Sequence, residues 1–345
     1  MSFEGQGGAD TINTGDLSAG TLTLAAALGA GDDTVDFEDT GALGAATIVI
    51  DGGAGTDTLV LDGTTAAVVD FTITNVERIL IEDEDTATDG DVASAEFTFG
   101  QLDGTSFEFE AEEFDDITLI VSSDDNGETS TDLSGLTITN IDTIEINGSA
   151  TVGQTIVGTE GNDVITAGAA SAANEVNTIT GGAGDDEFVF ADSDSLEGMV
   201  SSITDYTSNE DQLTMLNAGT FAVAADTTVS DIADDDNSNA TVAAIFADAN
   251  SAVDIDVTDG ILTLVGTTAD KALANTLAEW IDIAEFVVND DSDEVLEYIA
   301  FEFDGDTYVL ESNSSDVTTS IVELTGVTGI TAVSDTAAAD TILIG

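Results

Sequence analysis

The stretch GGAGTDTLV at residues 52–60 returns as GGAGDDEFV at residues 181–189, and this recurrence constrains the fold more than any other feature of the chain. Both copies fit G-G-x-G-x-D-x-U-x, with U a large apolar residue. Requiring only the fourth-position glycine, the aspartate and the apolar residue recovers GQGGADTIN (5–13), LGAGDDTVD (28–36) and GTEGNDVIT (158–166). The five aspartates, Asp10, Asp33, Asp57, Asp163 and Asp186, lie 23, 24, 106 and 23 residues apart. Glycine is costly to order and is kept where the backbone must take φ > 0 or approach another atom closely. A glycine-rich turn followed by a short β-branched run, repeated at near-constant spacing, is the signature of a stacked-coil architecture.

That nonapeptide belongs to the parallel β-roll, in which two nonapeptides make one coil of about 18 residues. An interval of 23 or 24 is then one coil plus a small insertion. Successive motif turns stack on one side, and the other side, carried by segments such as TLTLAAAL (21–28), has lost its motif. The expected fold class is all-β: a right-handed parallel β-roll or solenoid with calcium-binding turns, followed by a mostly β C-terminal domain containing one helix.

Composition narrows the partners. Asp and Glu number 71 of 345 residues against two basic residues, Arg78 and Lys271, for a formal net charge of −69. Such a charge repels the compact state unless cations screen or bind it, and it argues against nucleic acid or an anionic membrane as partner. A halophilic surface is the competing explanation of the acidity. The 42% hydrophobic content separates the chain from disordered acidic tails. Proline is absent, where an average chain of this length holds roughly 17 at ~5%, which fits uninterrupted β ladders. With no cysteine and no histidine, thiolate chemistry and the commonest metal ligand and general base are missing, and an enzyme is not expected. There is no N-terminal signal pattern and no run of 18 apolar residues, so neither an ordinary secretory signal nor membrane insertion is expected.

Two domains are expected. Residues 1–190 form the roll, with coils lacking the calcium loop, or hairpins, in its middle. TITNVERILI (72–81) and TITNIDTIEI (137–146) share one frame and read either as such coils, closed by side-chain hydrogen bonds, or as two sandwich strands. FTFGQLDGTSFEFEAEEFDDITLIV (97–121) alternates apolar and acidic residues as an antiparallel hairpin would. Residues 191–345 form a β-rich cap and assembly domain. Within it, 202–216 is expected to cap the last coil, 268–286 to form a helix with Leu273, Leu277, Trp280 and Ile281 on one face, and 297–312 to form a hairpin turning at Asp304-Gly305. The acidic runs at 234–239 and 289–294 read as solvated loops.

A hard dication takes six to eight oxygen ligands, and backbone carbonyls serve as well as carboxylates. In each turn the aspartate is expected to close the loop while glycine-flanked carbonyls, freed from strand pairing, point into the gap between coils. Candidate ligating turns are Gly5, Gly8 and Asp10; Gly29, Gly31 and Asp33; Gly52, Gly53, Gly55 and Asp57; Gly158, Gly161 and Asp163; and Gly181, Gly182, Gly184 and Asp186. Two stacked turns make one site, so at least three calcium ions are expected. Ordinary Gly-Asp β-turns are the bland alternative.

The nonapeptides, the ITDY…DQL segment (203–213) and FDGDTYVLE…IVELTGVT near the C-terminus resemble RTX proteins, in particular RTX-bearing bacterial surface-layer proteins. The resemblance spans about half the chain. It implies calcium bound by the five aspartates and neighbouring glycine carbonyls, and export by type I secretion using a C-terminal signal. The expected function is a secreted, extracellular or cell-surface structural protein that self-assembles through calcium-dependent contacts into a surface layer or filament, with cell-surface polysaccharide a further possible partner. The alternative is the C-terminal calcium-folding and secretion module of a larger adhesin or exoenzyme.

Overall fold

The computed structural model describes residues 1–14, 23–37, 47–62, 66–67, 71–82, 92–111, 116–123, 127–149, 151–168, 176–191, 200–216, 221–224, 227–229, 240–249, 251–288, 296–312, 318–335 and 341–345. The acidic runs at 234–239 and 289–294 lie outside them. The chain is mostly β and contains a parallel β-solenoid of about six turns. It divides into two compact units, one of residues 1–149, 155–165 and 182–184, the other of 150–154, 166–181 and 185–345. The division thus falls inside the expected roll rather than at residue 191.

In the first unit, the strands Ser2–Glu4, Thr23–Ala30, Thr47–Ala54 and Phe71–Thr74 make one parallel sheet. The strands Thr11–Asn13, Thr34–Phe37, Thr58–Asp62, Arg78–Glu82, Glu108–Ala111 and Thr137–Thr139 make another. The register places the motif's large apolar residues in a column: Ile12, Val35, Leu59, Ile79, Phe109 and Ile138 face one another coil by coil. Val35, Leu59, Ile79 and Phe109 are buried, and each such side chain contributes about 1.5–3 kcal/mol.

Two expectations change, for residues 97–121 here and for residues 202–216 in the second unit, while the coil reading of the TITN segments holds. Residues 97–121 do not form a hairpin. Val92–Thr98 pairs in parallel with Asp116–Ser122, and Glu108–Ala111 lies parallel to Arg78–Glu82 and Thr137–Thr139. Apolar-acidic alternation specifies a strand with one wet and one dry face, and a solenoid strand satisfies that as well as a hairpin. A turn of helix, Phe99–Leu102, makes the corner, with Gln101 accepting from the Thr98 N–H and donating to the Phe71 carbonyl, both at 2.8 Å. The TITN segments are coils: Asn75 and Asn140 take φ of 50° and 55°, and Asn75 Nδ2 donates to Asp51 Oδ1 at 2.7 Å. Residues 202–216 are a further coil rather than a cap, described next.

In the second unit, Ser201–Ile203 lies parallel to Thr178–Thr180, and Gln212–Leu216 parallel to Glu187–Ala191. The edge strand Gln212–Leu216 is covered by Thr341–Ile344, which runs antiparallel to it and pairs with Val333–Asp335. Ser201–Ile203 continues into Thr318–Leu324, Asp306–Ser312 and Leu296–Phe303. The last two form the expected hairpin, turned by Asp304 (φ 54°) and Gly305 (φ 102°). The expected single helix is two: Thr268–Lys271 and Leu277–Val288. The break follows from a second capping box, since Glu279 Oε2 accepts the Asn275 and Thr276 N–H groups at 2.8 and 2.9 Å. The longer helix buries Ile281, Ile283, Ala284, Phe286, Val287 and Val288, leaving Trp280 half-buried. A helix not foreseen, Ala240–Ile245, adds Val242 to the same core. Among the described residues, no helix is long and apolar enough to cross a membrane.

Leu59→Ala removes one member of the apolar column and is expected to cost about 2–5 kcal/mol in urea unfolding, whereas Val49→Ala, on the outer face, stays within about 0.5 kcal/mol.

Candidate metal centre

The motif turns prolong the strands. Gly29 pairs with Gly53 and Ala30 with Ala54 in the parallel register of the strands Thr23–Ala30 and Thr47–Ala54. Second- and fourth-position glycines adopt positive φ, as at Gly53 (104°) and Gly55 (151°), with the same sign at Gly29, Gly31, Gly182 and Gly184 and, at the fourth position, Gly8. They also lie directly on the preceding turn. A β-carbon at Gly55 would overlap the Gly31 carbonyl oxygen and one at Gly53 that of Gly29, while Gly182 and Gly184 bear in the same way on the carbonyls of Thr159 and Gly161. The first-position glycine makes room for the turn's own carboxylate, since a β-carbon at Gly5 or Gly52 would stand 2.6 Å from Oδ2 of Asp10 or Asp57. Gly181 is constrained likewise by Asp186.

The aspartates form a ladder. The Asp10 N–H donates to Asp33 Oδ1 at 2.7 Å, the Asp33 N–H to Asp57 Oδ1 at 2.8 Å, and the Asp57 N–H to Glu77 Oε2 at 2.8 Å. In the second unit the Asp186 N–H donates to Asp211 Oδ1 at 3.0 Å. Asp33 and Asp57 are each 1% exposed, and the second oxygen of each, Oδ2, is buried with no hydrogen-bond partner. Burial pushes the Asp57 carboxyl above the usual carboxylate range; the Asp33 N–H opposes this, and the carboxylates of Asp33, Glu77 and Asp32 add to it. Burial likewise raises Asp211, against the N–H groups of Asp186 and Thr207 and with Asp205 and Asp185 reinforcing it.

Neighbouring strands lie about 4.8 Å apart, so successive ionised carboxylates of the ladder repel by about 3 kcal/mol at an effective dielectric of ~20. Each charge-assisted hydrogen bond returns about 1.5–3 kcal/mol. The ladder is therefore near balance or unfavourable until a cation enters it. Two buried carboxylate oxygens without partners are hard ligands of the kind a dication such as calcium takes. Among the described residues no three acidic side chains converge, so backbone carbonyls must complete the shell.

Here the expected donor set needs correction. The third-position carbonyls are not free: Ala30 accepts the Gly8 N–H at 2.7 Å and Ala54 the Gly31 N–H at 2.9 Å, because strand pairing runs through the turn. The carbonyls of Gln6, Gly8, Gly29 and Gly31 instead lie against the glycines of the next coil.

The remaining predicted residues divide. Asp10 sits half-buried at the start of the ladder. Asp163 closes its own loop, Oδ2 accepting the Thr159 N–H at 2.7 Å and Oδ1 the Thr159 hydroxyl at 2.9 Å; Gly158 is buried there and Gly161 donates to the Thr159 hydroxyl. Glu77 and Asp211 were not foreseen, although the frame was visible: each stands two residues before an apolar strand residue, Ile79 and Leu213, as Asp57 stands before Leu59. Asp32, the carboxylate beside Asp33, is exposed and accepts the Thr56 N–H at 2.9 Å. Compared with protein-family models and with curated proteins, the chain finds no match.

Asp57→Asn removes a charge from the ladder while keeping its shape. Without metal, the variant should melt no lower than the parent chain; in calcium, it should lose at least one site's stabilisation, about 2.7 kcal/mol at a concentration 100-fold above Kd. The pH dependence has a definite sign. Raised carboxyls favour the protonated fold, so in chelator the stability that Asp57 and Asp211 contribute is present at acid pH and is lost as pH rises through their raised values. Melting curves in chelator should therefore shift upward as pH is lowered from neutral through the raised range of these carboxyls.

Proposed function

We propose that the chain is a secreted, calcium-dependent structural protein whose copies associate into a surface layer or filament, as its resemblance to RTX surface-layer proteins implies. The observation that carries this reading is the pair of buried, partnerless oxygens on Asp33 and Asp57. A dication between coils would neutralise the ladder, and because the site exists only when coils are stacked, its binding free energy is folding free energy. The stretch Asp10–Asp33–Asp57–Glu77 is the leading place for it. Folding in millimolar calcium, after export, is the corresponding sequence of events.

Association requires surfaces that do not bring carboxylates together. The outer face of the sheet formed by Ser2–Glu4, Thr23–Ala30, Thr47–Ala54 and Phe71–Thr74 provides one: Ser2, Thr23, Ala25, Ala27, Thr47, Val49, Thr72 and Thr74 are exposed there, with Glu4 and Asp51 as acidic residues among them. In a chain carrying 71 acids, a flat face of small and β-branched residues is the natural contact between copies.

The test combines circular dichroism, scattering and electron microscopy of metal-free protein titrated with calcium, with magnesium as control. Calcium alone should raise the β signal and then produce ordered assemblies, and Val49→Asp should fold with calcium yet remain monomeric. A parent chain that stays monomeric in millimolar calcium would count against assembly; one whose structure and melting ignore chelation would end the calcium reading.

A further inference from the structure

Of the chain's two cations, Arg78 is engaged, its guanidinium contacting Glu110 and lying 3.9 Å from Glu108. Lys271 makes no ion pair with any described residue, in a chain with 71 carboxylates. It stands instead on the wall of a cavity of about 320 Å³ within the second unit, whose other walls include Leu262, Leu264, Trp280, Ile330 and Glu302. That size is at the lower end of small-ligand sites.

The walls are held in place by contacts a ligand need not break. Trp280 stacks on the fully buried Phe301 at 5.7 Å between ring centroids, and Phe301 on Tyr308 at 5.5 Å. The indole N–H is spent on the Ala274 carbonyl at 3.3 Å, so the ring offers the cavity apolar surface. Glu302 is occupied in a different way: its Oε1 accepts the backbone N–H groups of Gly329 and Ile330, which pins the loop carrying Ile330. An apolar hollow whose wall carries an ammonium with no ion pair among the described residues is complementary to an apolar molecule with one anionic head. We propose that this cavity binds an apolar monocarboxylate, its head paired with Lys271 and its hydrocarbon body lying against Trp280, Leu264 and Ile330. The chain's overall negative field acts against such a ligand, but at physiological salt it is screened over about 8 Å, leaving the adjacent ammonium as the dominant charge.

Trp280 is the chain's sole tryptophan, so fluorescence excited selectively at tryptophan reports on this cavity. The experiment titrates the full chain, in 0.15 M salt with calcium, with octanoate, octanol and octylamine, and sediments it with phosphatidylglycerol vesicles. Octanoate should give a saturable change, bind at least tenfold more tightly than octanol, and lose that advantage in Lys271→Gln. Ile330→Phe, which fills the cavity, should weaken octanoate and octanol alike. The proposal is overturned if octanoate gives no saturable change up to millimolar concentration, if Lys271→Gln binds it as well as the parent does, if octylamine binds as tightly, or if the chain sediments with vesicles while ignoring free octanoate. It does not depend on assembly, so a monomeric chain that binds octanoate would separate the two readings.

Discussion

A parallel coil sets the same residue of successive repeats about 4.8 Å apart, and in this chain that residue is a carboxylate. Asp10, Asp33, Asp57 and Glu77 are tied in line by backbone N–H donors, each one coil from the next. Hydrogen bonding satisfies one oxygen of Asp33 and of Asp57 and leaves the other buried and bare. The architecture therefore concentrates like charge in its own interior and cannot relieve it with basic side chains, since it has two. This coupling between coil stacking and cation demand links the acidity of the chain, its glycine turns and its proposed dependence on calcium.

The same stacking supplies the opposing stabilisation. Where the turn aspartate repeats, so does the apolar residue two positions on, and Val35, Leu59, Ile79 and Phe109 form a dry column beside the charged one. Along the stretch from Asp10 to Glu77 each added coil brings a few kcal/mol of burial and a repulsion of similar size between neighbouring carboxylates.

Much of this was legible beforehand. The coil period, the inward face of each strand and the special backbone of Gly53 and Gly55 follow from spacing, alternation and the absence of a β-carbon. The turn at Asp304-Gly305 was equally plain, because a type I′ bend needs positive φ at both residues. The errors share a cause. Residues 97–121 and 202–216 have the patterns of strands, and pattern alone does not name the partner; both proved to be coils. Thr276 and Glu279 form a capping box inside an apolar run, and the longer periodicity concealed it.

Local chemistry by itself determined that the chain coils, which side chains face inward, and where a turn must carry glycine, because those properties depend on neighbours within a few residues. Only the tertiary structure decided which carboxylates share a ladder. Glu77 joins it across an interval of 20 residues, where the motif aspartates stand 23 and 24 apart. Tertiary packing likewise set Lys271 beside Trp280 on the wall of a hollow, with no ion pair to any described residue. In both cases the deciding quantity is the distance between residues far apart in the chain, which is set when coils and sheets stack.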